Sequence, residues 1–156
     1  MNDDIQRPVL DERVVGWRGR PFEVDVEKGR LRLFAKAIGE TDPVYSDEAA
    51  ARAAGHPSLP VPPTFYFCLE MERDDPYDWF RELGIPLGRV LHGGQAFTYH
   101  APAWAGDRLR FESEVTAVWH KKGGALEFLV QRNVVSNQHG QRVAEFDRTL
   151  VIRHPS

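Results

Sequence analysis

The hydrophobic pattern changes along the chain, from helical spacing in the first half to alternation in the second. Residues 21–26 alternate apolar and polar positions, which predicts a short strand. In residues 27–38 the apolar side chains recur at i, i+3, i+4 and i+7, which predicts an amphipathic helix that stops at Gly39. Residues 47–54 are rich in alanine and predict a short helix with Ser46 as its N-cap.

The middle of the chain carries the most apolar helical segment. Four prolines in residues 56–63 predict that the chain arrives there in an extended or turning conformation. Residues 64–73 follow with aromatic side chains on several faces, so we expect this helix to be buried on most sides. A loop with a short helix around residues 77–83 comes next.

From residue 90 onward, alternating apolar and polar positions predict strands. We expect strands over residues 95–100, 109–119, 126–136 and 143–153. The last three are long and joined by short turns, so they should form an antiparallel meander. Strands that follow several helices, one of them buried, indicate an α+β fold with a helix packed against an antiparallel sheet. The pattern alone leaves other α+β folds open.

Length and charge narrow the range of functions. The 156 residues suit a single domain with one core, spanning 1–156. The 20 basic residues are scattered among 23 acidic ones for a net charge of −3, so we expect no nucleic-acid partner. No window is apolar enough to span a membrane, and the acidic residues 1–4 are unlike a signal peptide. We therefore expect no membrane association and a cytoplasmic location.

Cysteine and histidine usage gives no sign of metal or redox chemistry. The single cysteine, Cys68, lies in an apolar run and is interpreted as a buried small side chain rather than a nucleophile. One cysteine cannot form a disulfide within the chain, which fits a reducing compartment. The six histidines are too dispersed for a metal cluster, and the sequence has no glycine-rich phosphate-binding pattern. We therefore expect no metal site and no cofactor.

Two stretches resemble a known family. Residues 39–47 read Gly-Glu-Thr-Asp-Pro-Val-Tyr-Ser-Asp, similar to the motif Gly-Asp-x-Asn-Pro-(aliphatic)-His of MaoC-like (R)-specific enoyl-CoA hydratases. Residues 90–109 resemble the stretch that opens the sheet in the N-terminal-type dehydratase domains of this family, and the segment Pro62-Pro63-Thr64-Phe65 fits the same subgroup. That subgroup includes the accessory subunits of the 3-hydroxyacyl dehydratases that elongate mycolic acids.

The resemblance implies a hot-dog fold, in which a curved antiparallel sheet wraps around a long buried helix. It also implies an acyl thioester as ligand, carried by coenzyme A or by an acyl carrier protein. A second hot-dog subunit, identical or different, is expected to pair with the open sheet edge. In active members the Asp and His of the motif flank a water that adds across the double bond, while a backbone N–H at the start of the buried helix donates to the thioester carbonyl.

The motif departs from the family where the chemistry lies. Glu40 replaces the Asp, Asp42 replaces the Asn, and Tyr45 replaces the His. A carboxylate misplaced by about 1 Å can cost roughly a hundredfold in rate, which is the scale of one extra methylene in Glu40. A phenol ionises only near about pH 10, so Tyr45 would be a poor proton shuttle. The alternatives are a solvated turn for Glu40 and Asp42, and a packing role for Tyr45.

The resemblance also marks further candidate site residues. His92 joins Glu40 and Tyr45 as a candidate catalytic residue, although a lone histidine is more often structural. The candidates for substrate binding are Asp42, Pro63, Thr64, Phe65, Gly93 and Gly94. The two glycines have a structural alternative, which is to permit a close backbone approach or a bend.

Three functions stay open from the sequence. The first is an acyl-thioester-binding subunit of an (R)-specific enoyl-CoA hydratase/3-hydroxyacyl dehydratase, a hydro-lyase that needs a catalytic partner subunit. The second is a self-sufficient homodimeric hydratase that uses Glu40. The third is a non-catalytic acyl-thioester-binding protein. We expect the chain alone to be weak or inactive as an enzyme, and the motif at residues 39–47 argues against a thioesterase.

Overall fold

A five-stranded antiparallel sheet forms the centre of the computed structural model, which describes residues 10–154. The strands are β1 (Phe22–Asp25), β2 (Val90–Tyr99), β3 (Arg108–Lys121), β4 (Leu126–Ser136) and β5 (Arg142–Arg153). Their spatial order is β1-β3-β4-β5-β2, so the meander β3-β4-β5 lies in the middle and β1 and β2 form the edges. The predicted strands and meander are confirmed, with β2 beginning at Val90 rather than at residue 95.

Four α-helices accompany the sheet in the described part of the chain. They are α1 (Lys28–Ala37), α2 (Glu48–Ala53), α3 (Phe65–Glu70) and α4 (Asp78–Glu82). Short 3₁₀ helices lie in the connections, at Glu12–Val14, Pro43–Tyr45, Leu87–Arg89 and Lys122–Gly124. Within residues 10–154, no helix combines the length and the apolar character needed to cross a membrane.

Two details of the predicted helices are wrong. The N-cap of α2 is Asp47 rather than Ser46, because the Asp47 carboxylate accepts the backbone N–H of Ala49 at 2.7 Å. The buried helix α3 ends at Glu70, short of the predicted residue 73. The residues that follow are held elsewhere, since the Arg73 guanidinium lies 4.3 Å above the Phe22 ring of β1.

The sheet presents an inner face on which the helices pack, and the core there divides into two apolar clusters. The first cluster surrounds α3, whose Phe65, Tyr66 and Leu69 are buried against side chains of the sheet that include Leu109, Phe111, Val135 and Phe146. The second surrounds α4 and includes Trp79, Phe80, Ile85, Val115, Leu129, Leu150 and Ile152. The predicted burial of the helix after the proline-rich segment is therefore confirmed.

The two edges of the sheet differ in chemistry. β1 is four residues long and carries the exposed acidic side chains Glu23 and Asp25. β2 is ten residues long and contains neither a charged Lys, Arg, Asp or Glu nor a proline. Leu91 and Tyr99 on β2 are 54% and 48% exposed. Proteins ordinarily protect an exposed edge with charges, prolines or short strands, so β2 has the character of an edge that another chain covers.

Candidate functional site

The motif residues lie in the exposed turn between α1 and α2. The Glu40 carboxylate accepts the backbone N–H groups of Thr41 at 2.8 Å and Asp42 at 2.9 Å. The Asp42 carboxylate accepts the backbone N–H of Val44 at 3.0 Å and caps the 3₁₀ helix that follows. Both carboxylates are thus bonded to their own turn, which supports the turn interpretation of these two residues.

The structure does not join the candidate catalytic residues to one another. Tyr45 is half-buried at the end of its 3₁₀ helix, whereas His92 is exposed on the inner face of β2. Within residues 10–154, neither Glu40 nor Tyr45 contacts His92 through a hydrogen bond or a ring contact. A catalytic group formed by these three residues is therefore not assembled within the single chain.

The edge strand β2 meets the start of α3 in a region that includes two of the candidates, Pro63 and His92. The Tyr99 hydroxyl donates to the Pro63 carbonyl at 2.8 Å, and the Tyr66 and Tyr99 rings lie 6.3 Å apart. The Phe67 ring meets the His92 ring edge-on at 6.3 Å. We call the region where these five residues meet the α3–β2 cleft. Its Tyr99 end adjoins a pocket of about 330 Å³ lined by Val61, Pro63, Tyr66, Tyr99, His100, Ala101 and Pro102.

The three candidates at the start of α3 divide into surface and core. Pro63 and Thr64 are exposed, next to the cleft. Phe65 is 2% exposed and packs on Phe34 of α1, with ring centroids 4.9 Å apart. Pro63 and Thr64 are therefore accessible to a ligand, whereas the Phe65 side chain belongs to the core and ties α3 to α1.

The two glycines of β2 differ in how closely other atoms approach their Cα atoms. The register with β5 shifts between His92 and Gly94, so Gly93 forms a bulge. A Cβ at Gly93 would lie 2.8 Å from the Val151 Cγ2, closer than Cβ atoms normally come, and 3.2 Å from the Thr149 carbonyl oxygen, which is a tight contact. A Cβ at Gly94 would meet nothing within 4 Å. The close-approach interpretation therefore fits Gly93 but not Gly94.

Polar side chains that the sequence prediction missed cross the inner face of the sheet between the two apolar clusters. Gln95, Arg148 and Gln131 lie directly opposite one another on β2, β5 and β4, and Asn133 follows Gln131 on the same face. We call these four residues the polar band. Gln131, Asn133 and Arg148 are at most 5% exposed. A signal for them exists in the sequence, because Arg148 alternates in phase with Phe146, Leu150 and Ile152.

The polar band is tied to α3 by a buried ion pair. Arg148 donates through Nη1 to the Glu70 carboxylate at 3.4 Å and through Nη2 to the Gln131 side-chain oxygen. Burial raises the pKa of the Glu70 carboxyl, against the attraction of Arg148 and Arg73. The Gln95 Nε2, the Arg148 Nε and both amide atoms of Asn133 have no hydrogen-bond partner among the described residues. Each such buried group ordinarily costs about 1–3 kcal/mol.

The remaining titratable residues near the cleft are unsuited to nucleophilic or metal chemistry. Cys68 is half-buried, and burial raises the pKa of its thiol, which disfavours the reactive thiolate. Burial also raises the pKa values of Tyr66 and Tyr99, so both phenols stay protonated at neutral pH. Residues 10–154 contain no group of three or more His, Cys, Asp or Glu side chains placed to hold a metal ion.

Comparison with known sequences gives one family and many relatives. Residues 13–146 match the family model described as "FAS1-like, dehydratase domain region". A UPF0336 protein of Streptomyces coelicolor is 37% identical over 146 residues, which cover 92% of this chain and 95% of the relative.

Comparison with solved structures confirms the predicted hot-dog fold. A chain of the C-terminally truncated HadBC (3R-hydroxyacyl-ACP dehydratase) complex from Mycobacterium tuberculosis superposes with a TM-score of 0.77 at 29% identity, covering 88% of this chain and 96% of that chain. The ChsH1-ChsH2 complex from the same organism gives a TM-score of 0.69 at 27% identity, covering 89% and 90%. The R-hydratase PhaJ1 of Pseudomonas aeruginosa shares the fold, with a TM-score of 0.67 at 21% identity, covering 95% and 86%.

Proposed function

The chain belongs to the FAS1-like dehydratase domain family of MaoC-like proteins, and from this premise we propose that it is the acyl-thioester-binding subunit of an (R)-specific enoyl-thioester hydratase/3-hydroxyacyl dehydratase. In this proposal the catalytic Asp and His come from a second hot-dog subunit. The present chain supplies binding surface for the thioester, whose carrier is coenzyme A or an acyl carrier protein.

The observation that carries the proposal is the state of the motif. Glu40 stands where the family has its Asp, and the backbone N–H groups of the two following residues both donate to its Oε1, which holds the carboxylate in its own turn. Tyr45 stands where the family has its His, and a phenol cannot replace an imidazole as a proton shuttle near pH 7. With both groups of the pair altered, addition of water is expected to require a partner that keeps them.

The unprotected edge β2 supports pairing with such a partner. Two of the similar structures, HadBC and ChsH1-ChsH2, are complexes of two different subunits. Pairing along β2 would place the partner beside His92, Gly94 and the α3–β2 cleft, since all of these lie on or next to that edge. We infer that the thioester binds where the two subunits meet, with Pro63 and Thr64 of this chain at its carbonyl end.

A hydration assay with and without a partner tests the proposal. The purified chain is compared with the chain co-expressed with a hot-dog protein that carries an intact Gly-Asp-x-Asn-Pro-x-His motif, using crotonyl-CoA and longer enoyl-CoA substrates. We expect little turnover by the chain alone and at least about a hundredfold more by the complex, because the chain lacks a correctly placed acid/base pair.

Two other results would replace the proposal with one of the functions left open by the sequence. Brisk hydration by the pure chain, abolished in Glu40→Gln, would establish the self-sufficient homodimeric hydratase. Tight thioester binding without turnover, even beside a catalytic partner, would establish a non-catalytic binding protein. A matched control is Glu12→Gln, which changes an exposed carboxylate far from the motif.

A further inference from the structure

The polar band places N–H donors where a plain acyl binding site would have apolar walls. Within the polar band, three buried N–H groups have no partner among the described residues: the Nε2 of Gln95, the Nδ2 of Asn133 and the Nε of Arg148. A buried donor without an acceptor is costly, so a native protein that keeps three of them on one face needs a reason to keep them. A ligand that brings acceptors to this face is such a reason.

These donors lie at the back of the α3–β2 cleft. The Phe67 ring stands between the cleft and the band, 6.3 Å from the His92 ring and 5.6 Å from the Arg148 guanidinium carbon. Gln95 lies on the same strand as His92 and directly opposite Arg148. Phe67 therefore separates His92 from Gln95 and Arg148, and an acyl chain that enters past His92 reaches these two residues when the Phe67 ring moves aside.

The charges around the band indicate which kind of acceptor fits. Two guanidinium groups, on Arg148 and Arg73, face the Glu70 carboxylate at 3.4 Å and 3.8 Å. The half-buried Asp78 adds a second negative charge that acts on Glu70. Two positive and two negative groups balance, so the site has no excess charge to offer an anion. A neutral oxygen, in a hydroxyl or a keto group, satisfies the donors without disturbing that balance.

We propose that the Gln95 and Arg148 donors bind an oxygen atom on the acyl chain, and that the protein selects thioesters whose acyl chain carries a hydroxyl or keto group beyond the reacting carbons. This inference rests on the proposed thioester-binding function and assigns a substrate class to it. A plain alkyl chain of equal length would lie against these donors and leave them without a partner, which a buried polar site penalises strongly.

Isothermal titration calorimetry on the full chain tests the inference directly. The ligands are octanoyl-CoA and three isomers that carry one keto oxygen at carbon 5, 6 or 7 of the acyl chain. We expect at least one isomer to bind about tenfold or more tightly than octanoyl-CoA, which is the effect of satisfying buried donors.

Variants assign the effect to the band. Gln95→Met keeps the size of the side chain and removes its donor, so it should abolish most of the tenfold preference, and octanoyl-CoA should bind it at least as tightly as it binds the wild type. Asn133→Leu is a second variant, which should fold and melt at a higher temperature because it removes two unpartnered buried atoms. Thr98→Val, which lies on the opposite face of β2 from Gln95, is the matched control and should change neither affinity.

The outcomes separate this inference from the proposed function. If octanoyl-CoA binds as tightly as every keto isomer, or if Gln95→Met keeps the preference, the inference is overturned and thioester binding stands. If none of the four thioesters binds, either to the chain alone or to its complex with a catalytic hot-dog subunit, both are overturned.

Discussion

The chemical properties of individual carboxylates in this protein depend on their burial and on the groups that they already bond to. Glu40 and Glu70 are both acidic side chains near a candidate site, but the first is exposed and bonded to backbone N–H groups, and the second is buried against two guanidinium groups. The sequence suggested a base at Glu40 and gave Glu70 no role. The carboxylate in an unusual environment is therefore Glu70 of the buried helix α3, and not Glu40 of the turn.

The Glu40 geometry predicts a structural effect of substitution rather than a loss of binding. Glu40→Ala removes the acceptor of two backbone N–H groups and should lower the free energy of unfolding by about 0.5–2 kcal/mol, the usual effect of losing a capping side chain. Glu40→Gln keeps an oxygen acceptor and should lose less. Urea denaturation measures the free energy, and calorimetry should show unchanged octanoyl-CoA affinity for both variants. A loss of affinity at equal stability would contradict this interpretation.

Glu70 predicts a pH dependence of stability. Its pKa in the folded protein lies above the ordinary value of 4.5, chiefly because of burial. A raised pKa means that the folded state holds the proton more tightly, so the stability from this group is complete below about pH 4.5 and falls as the pH rises through the folded pKa. Glu70→Gln should flatten the stability curve in that window.

Thermal denaturation of the wild type and Glu70→Gln in buffers between pH 4 and pH 7 makes the comparison. Glu12→Gln serves as the control, because Glu12 is exposed and its substitution should leave the curve unchanged. Parallel curves for wild type and Glu70→Gln would show that another group sets the pH dependence.

Secondary-structure elements were predictable where one face of an element is uniformly apolar. The alternation in residues 109–119 and 126–136 gave β3 and β4 nearly to their ends, because each strand has one buried and one outward face. The end of α3 was not predictable; the chain beyond it contacts the sheet, where Arg73 lies over the ring of Phe22, which is 51 positions earlier in the sequence. Local spacing contains no information about such a contact.

The candidate site was predictable only in part, for a related reason. The family motif located the turn at residues 39–47 and the start of α3, but it could not show that Glu40 bonds to its own turn. No role was predicted for the polar band from the sequence, although Arg148 and Asn133 share the phase of buried neighbours. Glu70 and Gln131, the partners that stabilise the buried Arg148, lie 78 and 17 positions away from it, where local spacing cannot indicate them.

The bulge in β2 predicts an asymmetry between its two glycines. Gly93→Ala places a Cβ against the Thr149 carbonyl and the Val151 side chain, and it should destabilise the protein by about 1–3 kcal/mol, as overpacking does. Gly94→Ala meets nothing within 4 Å and is the matched control. Urea denaturation of both variants gives the difference between their free energies of unfolding. Equal values would mean that β5 shifts to accommodate the added methyl group.

At the scale of the whole molecule, the two sheet edges make different partners possible. β1 is short and acidic, and Arg108 of β3 already pairs with Glu23 at 2.7 Å. β2 has ten residues without a charged side chain of the Lys, Arg, Asp or Glu kind, and it contributes to the α3–β2 cleft. If association follows edge chemistry, the subunit that completes the site is the one that covers β2.

Charge placed on β2 should therefore prevent association. Ala96→Lys puts a cation on the edge strand, and we expect it to weaken subunit pairing at least about tenfold, because like charges or a buried charge at a strand edge oppose pairing. Light scattering coupled to size-exclusion chromatography measures the mass of the paired subunits at micromolar concentration. Val134→Lys, on the inner strand β4, is the control and should leave the mass unchanged. A mass that is equally unaffected by Ala96→Lys would place the interface elsewhere.

The acidic character of β1 has a consequence for how far such association can proceed. A sheet in which both edge strands can pair with another chain could add one copy after another and form a filament. Here β2 accepts a neighbour, whereas β1 is only four residues long and a strand that paired with it would have to bury Glu23 and Asp25, which are charged and bonded to Arg108. Growth would therefore stop after a single addition, which leaves a closed pair of subunits instead of a polymer.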